Sequence, residues 1–318
     1  MKLGFIGLGN VGGKLAGSLL RNGFELTVRD LDKAAAKPFL DKGAHWAESP
    51  KALADACDLI ITCLPSPAIS ARVMEADDGI LAGLAPGKIW LEMSTTDEAE
   101  VKRLAKKVEA KGASALECPV SGGCHRAATG NISIFVGGER AAFERALPAL
   151  SAMGRKILHT GPLGSASVLN VVTNYLAFVH LVAVGAALAV STQAGDALAT
   201  AFEAIRISSG TSFVHETESQ VILNGSYNIG FTMDLVLKDI GLFEAVAGRA
   251  GVPLEVSPLI TSIFRDGQER YGPRAWSSMI VKRLEDACGM ELRAPGFPAE
   301  LEDDEPEVPG AEVVVRRA

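Results

Sequence analysis

The chain has 318 residues, 48% of them hydrophobic and 22% charged, with a formal net charge of −7. That length suits two globular domains better than one core. The composition excludes a disordered chain, and the acidic balance excludes a nucleic-acid surface, which needs a basic face.

Lys2–Gly7 reads as a buried strand, and Gly9–Gly23 as a helix in which Leu15, Leu19 and Leu20 share a face and Gly23 closes the C-terminus. Phe24–Asp30 alternates and is rich in β-formers, so it is a second strand. Ser49-Pro50 opens a short helix as N-cap and first-turn proline. Asp58–Leu64 and Lys88–Met93 follow as strands. Thr95 with Glu98 fits a capping box for a helix whose Val101, Leu104 and Val108 share a face. Further strands are expected near Ala115–Cys118, Ile132–Gly137 and Lys156–Thr160, with a helix over Glu139–Met153. This alternation up to about Thr160 predicts a doubly wound, mostly parallel α/β sheet.

After Gly164 strand signals vanish and helical segments dominate, which predicts an all-α second domain. The expected division is 1–163, 164–293 and an acidic, proline-rich tail over 294–318, extended or poorly ordered. A strand formed by the final "EVVVRRA" is the weaker reading of that tail. No Asp, Glu, Lys or Arg occurs between Lys156 and Asp196. The run Tyr175–Val190 falls short of the roughly 20 apolar residues of a membrane span and is interrupted by His180, so no membrane association is expected. A helix apolar on all sides needs cover on all sides, which predicts a homo-oligomer. The five cysteines, Cys57, Cys63, Cys118, Cys124 and Cys288, show no Cys-x-x-Cys spacing. Neither a metal site nor a disulfide framework follows, and a reducing, cytoplasmic setting is the simplest reading.

Gly7-Leu8-Gly9-Asn10-Val11-Gly12 fits G-x-G-x-x-G between a strand and a helix, the context in which that pattern marks a dinucleotide site. The first glycine permits the turn, the second lets backbone approach a pyrophosphate, and the third allows close helix–strand packing. Asp30 at the end of the second strand suits the ribose hydroxyls and repels a 2′-phosphate. No basic residue directly follows it, so the sequence favours NAD over NADP.

The segments GFIGLGNVGGKLAGSLLRNG, Leu64-Pro65, Met93–Thr96, Cys118–Gly123, Gly130–Gly138, Gly161–Asn174 and Leu237–Asp239 occur in this order. Together they resemble the β-hydroxyacid dehydrogenase family, which includes 3-hydroxyisobutyrate dehydrogenase. The resemblance implies a Rossmann domain, a long interdomain helix and a helical domain like that of 6-phosphogluconate dehydrogenase, assembled as a homodimer or homotetramer. It implies an oxidoreductase that moves a hydride between nicotinamide and a small 3-hydroxy acid, or the matching aldehyde or ketone, in the interdomain cleft. Leu64, Pro65 and Thr95 would line the cofactor. Ser121, Gly122 and Gly123 would hold the substrate carboxylate, Asn174 would bond the substrate, and Lys238, supported by Asp239, would close over the cofactor and substrate.

The sequence departs from the family at one position. The family's catalytic lysine, one turn before Asn174, is replaced here by Asn170, an amide with no titratable proton near neutral pH. A water relay, His125 or Lys238 are the candidate substitutes. The alternatives are altered chemistry of the imine-reductase kind, or an impaired protein that binds cofactor and carboxylate.

Overall fold

The computed structural model describes residues 1–315. The chain divides into two compact units, and it crosses between them twice. The first comprises Met1–Asn170 together with the described chain from Asp303 on; the second is Val171–Glu302. The division therefore falls inside a helix rather than before it, and the tail belongs to the first unit.

In the first unit the strands are β1 (Leu3–Ile6), β2 (Leu26–Arg29), β3 (His45–Trp46), β4 (Leu59–Thr62), β5 (Ile89–Glu92), β6 (Ser114–Glu117), β7 (Val120–Ser121), β8 (Ile132–Gly138), β9 (Gly154–Gly161) and β10 (Ala311–Glu312). Among the described residues they form one sheet in the order β10-β9-β8-β6-β5-β4-β1-β2-β3, with β7 on β8. Every pairing is parallel except β6 and β7 against β8. The helices are α1 (Gly12–Arg21), α2 (Lys33–Leu40), α3 (Pro50–Ala56), α4 (Pro67–Glu75), α5 (Ile80–Gly83), α6 (Glu98–Glu109), α7 (Gly123–Ala128) and α8 (Arg140–Met153).

Strand alternation sends Leu3, Phe5, Leu59 and Ile61 to one face, where they meet Leu15, Leu19 and Phe143. Ile6, Ile60 and Trp90 face the other way, onto Leu53, Val101, Leu104 and Val108. Both faces are covered, which is why the central strands read as unbroken apolar runs. Each such side chain, fully buried, contributes about 1.5–3 kcal/mol.

Ser49 caps α3 as expected, accepting from Ala52 N at 3.0 Å. The capping box at Thr95 does not form. Asp97 is the N-cap of α6 and accepts from Ala99 N at 2.8 Å. A carboxylate two residues closer to the first turn outcompetes the threonine, and Thr95 is used elsewhere.

The tail corrects the sequence reading most. It is extended, but it lies along the first unit: Gly310 N donates to Ser151 O at 2.8 Å, Val313 N donates to Ile157 O at 2.7 Å, and β10 adds a parallel edge strand to β9. Arg140 clamps Glu312 through both carboxylate oxygens, at 2.6 and 2.9 Å. Scattered acids read as a solvated tail because their partners, Arg21, Arg126 and Arg140, stand more than 170 residues earlier. The last three residues of the predicted tail lie outside the described chain.

The second unit is helical: most of α9 (Ser165–Ala194), then α10 (Leu198–Arg206), α11 (Phe213–Asn224), α12 (Met233–Ala250), α13 (Ser257–Tyr271) and α14 (Lys282–Cys288). Its core gathers Phe178, Leu181, Leu188, Phe202, Ile222, Phe264, Ile280 and Leu292. Phe178 and Phe264 meet edge to face with centroids 6.0 Å apart. Helix α9 is longer than its apolar run suggested, and by length and composition alone it is long enough to cross a membrane.

Candidate active site

Because β1, β2, β4, β5 and β6 are parallel, the segments leaving them emerge on one edge of the sheet. These segments are Gly7–Gly12, Asp30, Leu64-Pro65, Ser94–Thr96 and Cys118–Gly123. The fold thus brings the first-unit residues expected on the cofactor side to the carboxyl edge, where doubly wound sheets bind ligands; Lys238, also expected there, belongs to the second unit.

The three glycines of the first loop differ in what requires them. A Cβ on Gly7 would come 2.2 Å from Cys63 O, and one on Gly12 would come 2.0 Å from Gly7 O. The chain's own packing demands both. A Cβ on Gly9 would meet no protein atom within 4 Å. Nothing in the fold excludes a side chain there, so the open space fits a group from outside the chain, as a pyrophosphate approaching the backbone requires.

Asp30 is tied to this loop. Its Oδ2 accepts from Leu8 N at 2.6 Å and its Oδ1 from Asp32 N at 3.0 Å. Asp32 is the N-cap of α2, accepting from Ala34 N at 2.9 Å. Arg29 and Lys33, the cations flanking this turn, both stand 5.2 Å from the Trp46 ring centroid.

Buried polar groups lie along this edge. Glu92 and Glu117 occupy facing register positions on β5 and β6, and both are buried. Glu92 accepts from the Ser94 hydroxyl and from Ser94 N at 2.9 Å. Ser94 Oγ in turn accepts from Leu64 N at 2.7 Å, linking two cofactor-side loops. Glu117 reaches the start of α9, where Ala166 N donates to it at 2.8 Å and the Ser167 hydroxyl donates to its other oxygen. One turn on, Asn170 is fully buried and its Nδ2 donates to Thr95 Oγ1 at 3.1 Å. Three bonded pairs thus lie along this edge: Glu92 with Ser94, Thr95 with Asn170, and Ser167 with Glu117.

Burial pushes the Glu92 carboxyl above its ordinary value, against the pull of the Ser94 bonds. Burial does the same to Glu117, against Ser167 and the backbone at the start of α9. Both acids escaped the sequence reading. The available signal was an acid closing an otherwise apolar strand, as in Trp90-Leu91-Glu92 and Ala115-Leu116-Glu117.

Gly122 (φ 128°) and Gly123 (φ 86°) are consecutive left-handed residues, a conformation glycine adopts without strain. Their backbone is covered from one side. A Cβ on Gly122 would lie 3.4 Å from Arg126 Cδ, and one on Gly123 would lie 2.9 Å from His125 Cε1. Burial, then Arg126, holds the His125 imidazole below its ordinary value, with Asp303 opposing.

Asn174, Lys238 and Asp239 belong to the second unit. Asn174 Nδ2 donates to Asp239 Oδ2 at 2.9 Å, and Lys238 Nζ lies 2.9 Å from Asp239 Oδ1. Asp239 is buried, which raises its carboxyl, while Lys238 and Asn174 oppose the rise. The carboxylate expected to support Lys238 therefore holds both it and Asn174.

Residues 2–161 match the family described as the NAD binding domain of 6-phosphogluconate dehydrogenase. Residues 164–284 match the NAD-binding domain of NADP-dependent 3-hydroxyisobutyrate dehydrogenase. The chain is 32% identical to the 2-(hydroxymethyl)glutarate dehydrogenase of Eubacterium barkeri, over 92% of this chain and 97% of that one. It is 33% identical to the NAD-dependent L-serine dehydrogenase of Pseudomonas aeruginosa, over 90% and 98%. A crystal structure of 3-hydroxyisobutyrate dehydrogenase from Salmonella typhimurium superposes with a TM-score of 0.81 at 27% identity, covering 89% of this chain and 99% of that one. The two family matches, together with relatives along nearly the whole length, place this chain in the β-hydroxyacid dehydrogenase family, oxidoreductases that act on the CH–OH of β-hydroxy acids.

Proposed function

We propose that this dehydrogenase uses NAD and acts on a small 3-hydroxy acid or the matching aldehyde, with Asn170 orienting the substrate oxygen. When bound, the nicotinamide supplies or accepts the hydride. The chain's own residues bind, orient and manage the proton. Ser121 Oγ and the N–H groups of Gly122 and Gly123 hold the carboxylate. Asn174 is the residue that bonds the substrate, and Lys238 a further binding residue. Asn170, clamped to Thr95, presents an amide where the family presents an ammonium. It hydrogen-bonds the reacting oxygen without exchanging a proton, so the proton leaves through water, Lys238 or His125.

The observation that carries this reading is the pair of consecutive left-handed glycines after Ser121, whose near neighbours are the Arg126 stem, the Ile132 side chain and the His125 ring. The test compares the native protein with Asn170→Lys on a panel of 3-hydroxy acids across pH. A lysine stabilises the developing alkoxide and carries its proton, so kcat is expected to rise by about 10²-fold while KM changes less. Loss of a robust native activity in Asn170→Lys would show that the amide serves different chemistry, of the imine-reducing or another kind. Cofactor binding without turnover by either protein would favour a binding role.

The preference for NAD is supported by Asp30 and Asp32 at the end of β2 and by the diversion of Arg29 and Lys33 onto Trp46. Fluorescence titration with NADH and NADPH checks it; equal affinities refute it. We also propose a soluble, cytoplasmic homodimer or homotetramer. Leu169, Leu176 and Val190 stand at multiples of seven along α9 with exposures of 41%, 47% and 69%, a stripe that a second copy would cover. A monodisperse monomer in light scattering, or a need for detergent, would oppose this.

A further inference from the structure

We propose that the C-terminal strap, residues 303–307, positions the Ser121–Gly123 loop, acting through Arg126 and the turn at Thr129–Asn131. The proposal rests on the reading of that loop as the carboxylate site.

The strap returns to the first unit at Asp303, and its first contacts fall on the exit of α7, the short helix that follows Gly122. Asp303 accepts from the Thr129 hydroxyl and from Asn131 Nδ2 at 2.7 Å. The same amide nitrogen donates to Glu305 O at 2.9 Å. Asn131 is buried at the start of β8, and the neighbouring Ser133 is the register partner of Ser121. The strap thus grips the strand against which the serine of the loop is paired.

A second line of contact runs through Arg126. Its guanidinium lies 3.3 Å from Glu305 Oε1, while its Cδ covers Gly122. Glu305 therefore draws the charged end of Arg126 onto the strap and leaves the apolar stem over the glycine backbone. Further along, Glu307 accepts from Arg21 Nε and from Asn22 Nδ2, both at 3.1 Å, which fixes the strap to the end of α1.

Two consecutive left-handed glycines define a ligand geometry only if something prevents them from sampling other conformations, since glycine loses more freedom on ordering than any other residue. The strap and α7 supply that restraint from outside the loop. Asp303, Glu305 and Arg126 are accordingly positioning residues. Their loss should weaken carboxylate capture more than hydride transfer or cofactor binding.

The experiment uses full-length Asp303→Ala, Asp303→Asn and Glu305→Gln, with Glu312→Gln as a strap variant that acts on Arg140 instead. Hydrogen exchange of the peptide spanning 119–131 is read beside steady-state kinetics and the thermal midpoint. Asp303→Ala is expected to speed exchange in that peptide but not in the peptide spanning 3–15, and to raise KM for the hydroxy acid by about tenfold, with kcat and NADH affinity within about twofold. Asp303→Asn, whose amide oxygen still accepts from Thr129 and Asn131, should recover most of the effect, and Glu312→Gln should show none. Unchanged exchange in 119–131, or parallel losses in KM, kcat and NADH affinity that track the thermal midpoint in all four variants, would overturn the proposal. Faster exchange of the loop in a protein that turns over no hydroxy acid would uphold the strap and refute the substrate reading instead.

Discussion

The molecule contains two glycine loops at the carboxyl edge of the sheet, and they are held in different ways. The Gly7–Gly12 loop is held mainly by backbone: Gly7 lies against Cys63 O at the end of β4, Gly12 lies against Gly7 O, and Asp30, 22 residues on, accepts from Leu8 N. The Ser121–Gly123 loop is flanked by side chains: His125 and Arg126 over its glycines, with Asp303 bonded to Asn131 and Glu305 to Arg126 beyond them. Both loops are thus held by chain distant in sequence, the first chiefly through backbone and the second through side chains.

The largest effect should come from breaking the first loop sterically. Gly12→Val places carbon 2.0 Å from a carbonyl oxygen, an overpacking that neither backbone segment can relieve. We expect a cost of at least about 3 kcal/mol and loss of NADH binding, read by denaturant midpoint and fluorescence titration. Gly9→Ala sharpens the point. With no protein atom within 4 Å, its stability should shift by under about 0.5 kcal/mol while NADH affinity falls about tenfold. Equal loss of stability in both variants would refute the separation of structural from ligand-facing glycines.

Next in size is the anchor at the start of α9. A Cβ on Gly137 would lie 2.2 Å from Glu117 Oε1, so Gly137→Ala should push that carboxyl off the start of α9. We expect about 1–3 kcal/mol of destabilisation together with reduced kcat, because Asn170 sits one turn further on.

Glu117 and Glu92 also predict a pH dependence. Their folded carboxyls are raised by burial, so above the ordinary glutamate range the folded protein holds more protons than the unfolded chain. Stability must then fall as pH rises from that range toward the folded values. Denaturant midpoints measured between pH 4.5 and 8 should show the decline, and the double variant Glu92→Gln, Glu117→Gln should flatten it. A midpoint that rises through this window would contradict the assignment. Asp303 has the opposite sign. Burial raises it, but the bonds from Thr129 and Asn131 outweigh burial and hold it low, so its contribution is lost as pH falls through its folded value.

Asp30→Ser tests whether the local loop depends on one carboxylate. We expect the NADH-over-NADPH preference to shrink by about tenfold and both cofactors to bind more weakly, because Leu8 N loses its acceptor. The smallest effect belongs to Glu307→Gln. Its contacts with Arg21 and Asn22 are solvent-exposed, and such pairs contribute about 0–1 kcal/mol.

Much of this protein follows from local pattern. Strand–helix alternation, the glycine loop, Asp30, and the serine and glycines at 121–123 all lie in short windows whose residue types have few other uses, so the sheet and its functional edge were legible in the sequence. The capping role expected of Thr95 went to Asp97. Asn170 stood out in the sequence as an amide one turn before Asn174 on an apolar segment, and the family resemblance marked it as a departure.

What required the folded chain was every partnership between distant residues. Glu92 and Glu117 look like ordinary strand ends until parallel pairing sets them side by side and α9 arrives to be capped. Asp303, Glu305 and Glu307 look like a solvated tail until the chain returns to the first unit. The physical reason is range. Propensity, capping and hydrophobic period act over a few residues, whereas a buried carboxylate or a docked strap is defined by which groups surround it, and only the tertiary structure decides that.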